Sequence, residues 1–177
     1  RELGEKDRAG AIDWLMGAPW RERDRKGDLG TLVHRIAEQA MLDQPIPSIP
    51  DEARKKVESF MRFLEDWDVT YEMVEDTVAN YTYGYAGTLD AIVVINGSRL
   101  VLDYFTGDKG PFPEKALQIT AYRHATHVIT KDSQVHPMPA TDGGAILHLK
   151  DNGYRLLPVD TGERMWDAFK FVRECFH

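Results

Sequence analysis

The sequence predicts an α/β fold, a mixed central β-sheet flanked by helices, and three observations carry that expectation. Apolar spacing is helical over residues 29–67, alternates between 70 and 106, and becomes helical again after 114. An Asn96-Gly97 pair sits between two apolar runs, the strongest short-range hairpin signal, because both residues accept positive φ. A final strand-strand-helix pattern closes the chain.

In order, residues 1–20 read as a short helix broken at Gly17-Ala18-Pro19, and 21–28 as a charged loop. Residues 29–42 form a helix candidate through Leu32, Ile36 and Ala40, with Val33 widening the stripe, and Pro45, Pro47 and Pro50 forbid its continuation. A second amphipathic helix is expected over 51–67, capped by Asp51, with Val57, Phe60, Met61 and Leu64 inward and Arg54, Lys55, Lys56, Glu58 and Arg62 outward. Strands follow at 70–78, through the aromatic stretch 81–85, at 88–95 and at 99–106; a helix is expected over 114–128. A polar loop, 130–143, leads to strands 145–150 and 154–159 and a helix over 161–176 with Met165, Trp166, Phe169 and Val172 inward. The whole reads as one domain, 1–177, with 1–28 an N-terminal helix and loop and 29–177 the core.

Composition removes several classes. No run approaches the ~20 apolar residues of a membrane span, and no secretory leader opens the sequence, so no membrane partner is expected. Cys175 is the single cysteine, which excludes a disulfide framework, a cysteine zinc site and a four-cysteine iron–sulfur cluster within the chain and favours a reducing, cytoplasmic setting. The net charge of −7 argues at first against nucleic acid, but residues 51–80 hold 9 acids against 4 bases and contribute 5 of those 7 charges.

Asp90 interrupts the apolar run around Ala91-Ile92-Val93-Val94-Ile95, and Asp103 ends another. A buried carboxylate needs a cation or a metal as partner. Asp90 lies six residues before Asn96 and Asp103 six after Gly97, so the hairpin sets them opposite each other, within reach of one cation. With His34 on the first long helix, a backbone carbonyl and water, they offer the mostly oxygen donor set that Mg²⁺ or Mn²⁺ takes; one paired acid beside an exposed one fits the spacing as well.

Four strings then stand in order: Gly30-Thr31-Leu32-Val33-His34-Arg35-Ile36-Ala37-Glu38, Tyr85-Ala86-Gly87-Thr88-Leu89-Asp90, Val101-Leu102-Asp103-Tyr104-Phe105-Thr106-Gly107 and Gln118-Ile119-Thr120-Ala121-Tyr122. Together they resemble the successive motifs of the PD-(D/E)XK nuclease superfamily, and most the RecB-type exonuclease branch with its phage-encoded and CRISPR-adaptation members. The resemblance implies a restriction-endonuclease-like core and metal-dependent hydrolysis of DNA, at ends or in single strands, in the cytoplasm, or the host cytoplasm for a phage-encoded chain. It implies Mg²⁺ or Mn²⁺ held by His34, Asp90, Asp103 and the Tyr104 carbonyl, and no iron–sulfur cluster. Gln118 and Tyr122 match the pair that orients the site and contacts the nucleic-acid backbone. It implies no particular protein partner.

The departure is Phe105, two residues after Asp103, where the family pattern has lysine. Phenylalanine neither positions a water nor offsets phosphate charge, so a chain impaired as a nuclease is expected. Phe105 reads as an introduced change, as a natural loss in a protein that only binds nucleic acid or assembles with partners, or as a position whose charge Lys109 or Lys115 supplies from elsewhere. Among smaller signals, Glu72 and Glu75 read as exposed strand acids, of which one could assist a metal. His124, His127, His136 and His148 read as structural or exposed, and Tyr81, Tyr83 and Tyr85 as alternation on a half-buried strand or a base-stacking set.

Overall fold

Asn96 (φ 50°) and Gly97 (φ 79°) both adopt the left-handed conformation that a tight primed turn demands. The hairpin they close is the centre of the molecule in the computed structural model, which describes residues 30–40, 42, 44–46, 48–111 and 113–175. The expected helix and charged loop over 1–28 lie outside the described residues.

The elements are helix α1 (30–40), helix α2 (Asp51–Asp66), strands β1 (Val69–Val74), β2 (Thr77–Asn80), β3 (Tyr85–Thr88), β4 (Ala91–Ile95) and β5 (Ser98–Phe105), helix α3 (Glu114–Arg123), strands β6 (His127–Ile129), β7 (Val135–Pro137), β8 (Gly143–Lys150) and β9 (Gly153–Val159), and helix α4 (Glu163–Glu174). The fold is mixed α/β. The central sheet runs β1-β4-β5-β8-β9, with β5 and β8 parallel and the other pairs antiparallel.

Alternation divides this sheet into two covered faces. Ala91, Val93, Ile95, Leu102, Tyr104, Ala145, Leu147 and Leu149 pack with Val33, Ile36 and Ala37 of α1 and with Ala53, Val57, Phe60 and Phe63 of α2. On the opposite face Val101 and Ile146 meet Ile119 of α3.

Several expectations change. The strand expected over 70–78 is two strands, because the backbone turns at Glu75 (φ 53°), and β2 joins a second, antiparallel sheet, β3-β2-β6-β7. Residues 81–84 form a turn with Gly84 at φ 63°, while Tyr83 and Tyr85 pack on Trp166. Helix α3 stops at Arg123, since the His124 N–H folds back on the Thr120 and Ala121 carbonyls and Val128 then pairs with Val78. In α4, Trp166 is buried, but Val172 is exposed.

Helix α2 is rotated from the expected face: Phe63 is inside and Met61 largely outside. Lys56 is buried, with its ammonium 3.3 Å from Asp151. Pro50, and not Asp51, occupies the N-cap; Asp51 begins the helix and pairs with Arg54 at 2.7 Å.

Candidate metal centre

The strands β1–β2 and β3–β4 are one two-stranded ribbon that changes sheet halfway. Val74 pairs with Ala91 in the central sheet, and Thr77 pairs with Thr88 in the second. Across the bend, Glu75 N–H donates to the Asp90 carbonyl (3.0 Å) and Leu89 N–H to the Asp76 carbonyl (3.1 Å). The ribbon therefore stays hydrogen-bonded where it bends, and the bend sets Glu75 beside Asp90.

Helix α1 lays Val33, Ile36 and Ala37 on the core, which brings His34 over the same bend. Its ring meets Tyr104 edge-on at 5.4 Å, and Nδ1 lies 3.6 Å from Asp90 Oδ2. One ligand atom each from His34, Glu75 and Asp90 lies within 4.8 Å of the others. They line a cavity of about 310 Å³ with Thr31, Arg35, Glu38 and Thr88.

Electrostatics fits a cation there. Burial pushes the Asp90 carboxyl up to about 6, although the Tyr104 N–H, donating to Oδ2 at 2.7 Å, favours its charged form. Burial and then the neighbouring Asp90 charge raise Glu75. Burial lowers His34, leaving a neutral imidazole with a lone pair to offer. One imidazole and two carboxylates form a mixed nitrogen–oxygen donor set suited to Mg²⁺ or Mn²⁺.

Asp103 stands next to this trio. The β4–β5 register pairs Ala91 with Leu102, and continued by one residue it sets Asp90 opposite Asp103, as the equal offsets predict. Asp103 is 3% exposed, and its carboxyl too is pushed up to about 6, by burial first and then by Asp90. Lys115 of α3 donates to Oδ1 at 3.0 Å and lies 2.9 Å from Oδ2, which accepts no hydrogen bond among the described residues.

Of the residues expected to hold metal, the structure thus gathers His34 and Asp90, sets Asp103 alongside in an ion pair, and adds Glu75. Tyr104 contributes its N–H to Asp90. Gln118 and Tyr122 are joined on α3, Nε2 donating to the phenol oxygen at 2.8 Å. The Tyr122 ring lies against Gly87, where a Cβ would come within 2.7 Å of it, so the pair faces the strand that leads to Asp90. Phe105 packs its ring 5.0 Å from that of His148. Lys109 is exposed in the loop after β5. The other described histidines lie outside the cluster: His124 stacks on Trp166 at 4.4 Å, His127 stands by Tyr81 at 4.6 Å, His136 is exposed on β7, and His148 is buried.

Sequence reasoning undervalued Glu75. The available signal was the pair Glu75-Asp76, two consecutive acids inside an alternating run, which no single strand face accommodates. Among the described residues, no helix is long and apolar enough to cross a membrane. No protein-family model matches the chain, and no curated protein matches it.

Proposed function

We propose that the chain is a metal-dependent phosphodiesterase of DNA, built on a PD-(D/E)XK core of the RecB-type exonuclease branch and acting on ends or single strands. The observation that carries this reading is the convergence of His34, Glu75 and Asp90 at the ribbon bend, with Asp103 opposite Asp90. The order of the parts supports it, since helix, strand, strand and helix bring the four motifs to one place. His34, Glu75 and Asp90 would hold Mg²⁺ or Mn²⁺, with Asp103 beside them.

When bound, the cation polarises a phosphate oxygen and makes a nearby water more acidic. The reaction joins the water oxygen to phosphorus, breaks a phosphorus–oxygen ester bond, and moves one proton from the water to the departing oxygen through solvent. Asp103 would accept a hydrogen bond from that water, and Gln118 and Tyr122 would hold the strand in register. A second reading, a nucleic-acid-binding or assembly protein without cleavage, is favoured by Phe105, which leaves its strand position without a cation.

The test is calorimetric titration with Mn²⁺ beside cleavage of end-labelled single- and double-stranded DNA. Asp90→Asn is expected to weaken Mn²⁺ binding at least tenfold and abolish cleavage. DNA binding indifferent to metal, with no cleavage by the chain or by Phe105→Lys, would leave the binding protein as the answer.

A further inference from the structure

Resting on the nuclease reading above, we infer that Lys115, from helix α3, supplies the positive charge that strand position 105 does not carry, and that this charge serves the scissile phosphate. The need for it follows from charge. Glu75, Asp90 and Asp103 bring three negative charges, a divalent cation returns two positive ones, and a phosphodiester adds a further negative one. Phosphoryl transfer then concentrates negative charge on the attacking and departing oxygens, and a fixed ammonium in a partly buried site is the group that stabilises it.

Position 105 is committed to packing. The Phe105 ring lies 5.0 Å from that of His148, which is 2% exposed and holds the Gly107 carbonyl through Nε2 at 2.8 Å. Phe105 also lies over Gly107, where a Cβ would come within 2.5 Å of its ring. Phe105, Gly107 and His148 thus fit one another, and an aromatic ring belongs to that arrangement.

Lys115 arrives from the other side. Pro113 and Glu114 start α3, and Lys115, Gln118 and Tyr122 follow at spacings of three and four, along one helix face. That face carries the Gln118–Tyr122 pair at one end and, at the other, an ammonium 2.9 and 3.0 Å from the two oxygens of Asp103. The Lys115 side chain is 27% exposed, so the ammonium is fixed by Asp103 and still open to a ligand.

The experiment compares the chain with Lys115→Met, Lys115→Gln, Phe105→Lys and the double variant Phe105→Lys/Lys115→Met. It measures DNA cleavage in Mn²⁺, Mn²⁺ affinity by calorimetry, and melting temperature. Lys115→Gln keeps a hydrogen-bond donor for Asp103 and so covers the case in which Lys115→Met fails to fold.

The expected result is a chain that cleaves, a loss of about 100-fold in kcat in both single variants at 115, and Mn²⁺ affinity within threefold of the parent. The double variant is expected to regain at least tenfold. A merely structural partner of Asp103 would instead lower metal affinity and melting temperature together with the rate, and would gain nothing from a lysine at 105. If the 115 variants cleave at the parent rate, or if only Phe105→Lys cleaves, the inference is overturned and the nuclease reading stands. If no form cleaves, the nuclease reading falls and takes the inference with it.

Discussion

Glu72 and Glu75 lie three residues apart in the same run of sequence, and their backbones separate their fates. Glu72 stays on β1 and forms a bidentate pair with Arg99, Nε to Oε2 at 2.7 Å and a terminal nitrogen to Oε1 at 3.0 Å. Glu75 leaves the strand at φ 53° and turns into the cluster with His34 and Asp90. Glu75→Gln is therefore expected to weaken Mn²⁺ binding by roughly tenfold or more, and Glu72→Gln to leave it unchanged, as read by calorimetric titration. Equal effects of the two would place the cation elsewhere. Asp90 and Asp103 were legible because a carboxylate in an apolar strand demands a partner. Glu75 was less so, because the consecutive acids Glu75-Asp76 break the alternation but nothing local says which residue of the run adopts positive φ.

At the scale of elements, the long helices, the Asn96-Gly97 hairpin and the strands of the central sheet followed from periodicity and turn chemistry. The second sheet did not. Its strands are three or four residues long, too short for alternation to register, and the pairing that joins its two hairpins, β2 with β6, is non-local. The expected 114–128 helix overshot for the same reason, since His124 and Ala125 continue a helical pattern that the pairing of Val128 with Val78 overrides. What brings α3, with Lys115, Gln118 and Tyr122, down to the sheet is Gly144 on β8. A Cβ there would stand 2.3 Å from Ile119 Cγ2 and 3.1 Å from Thr161 Cγ2. Gly144→Ala must push α3 outward, and such overpacking costs about 1–3 kcal/mol. The expected result is a melting temperature lower by roughly 2–4 °C per kcal/mol, with weakened cleavage in the variant that still folds. An unchanged melting temperature would mean that α3 is not seated against β8 as described.

For the molecule as a whole, residues 51–80 contribute 5 of the 7 net negative charges, but α2 itself holds five acids against four bases, so most of the excess is Asp68, Glu72, Glu75 and Asp76, on and beside β1 and the ribbon bend. Glu72 is neutralised by its pair with Arg99, and Glu75 belongs to the cluster whose charge a divalent cation would offset. The charge that matters for stability is buried at the bend. Asp90 and Asp103 are both pushed up to about 6 by burial, so folding favours their protonated forms. Their contribution is fully present below the ordinary aspartate value near 4 and is lost as pH rises through about 6. A two-unit rise corresponds to roughly 3 kcal/mol for one such carboxylate, and a divalent cation at 100 times its Kd restores about 2.7 kcal/mol. Without metal, Asp90→Asn is accordingly expected to raise the melting temperature at pH 7 and to change it little at pH 4. Mn²⁺ should raise the melting temperature of the parent strongly at pH 7, weakly at pH 5 where protons compete for the same oxygens, and by about half as much or less in Asp90→Asn at pH 7. Thermal melts from pH 4 to 7.5, with and without Mn²⁺, decide the matter. A Mn²⁺ shift of equal size at pH 5 and pH 7, or one undiminished in Asp90→Asn, would show that the cation binds away from the ribbon bend.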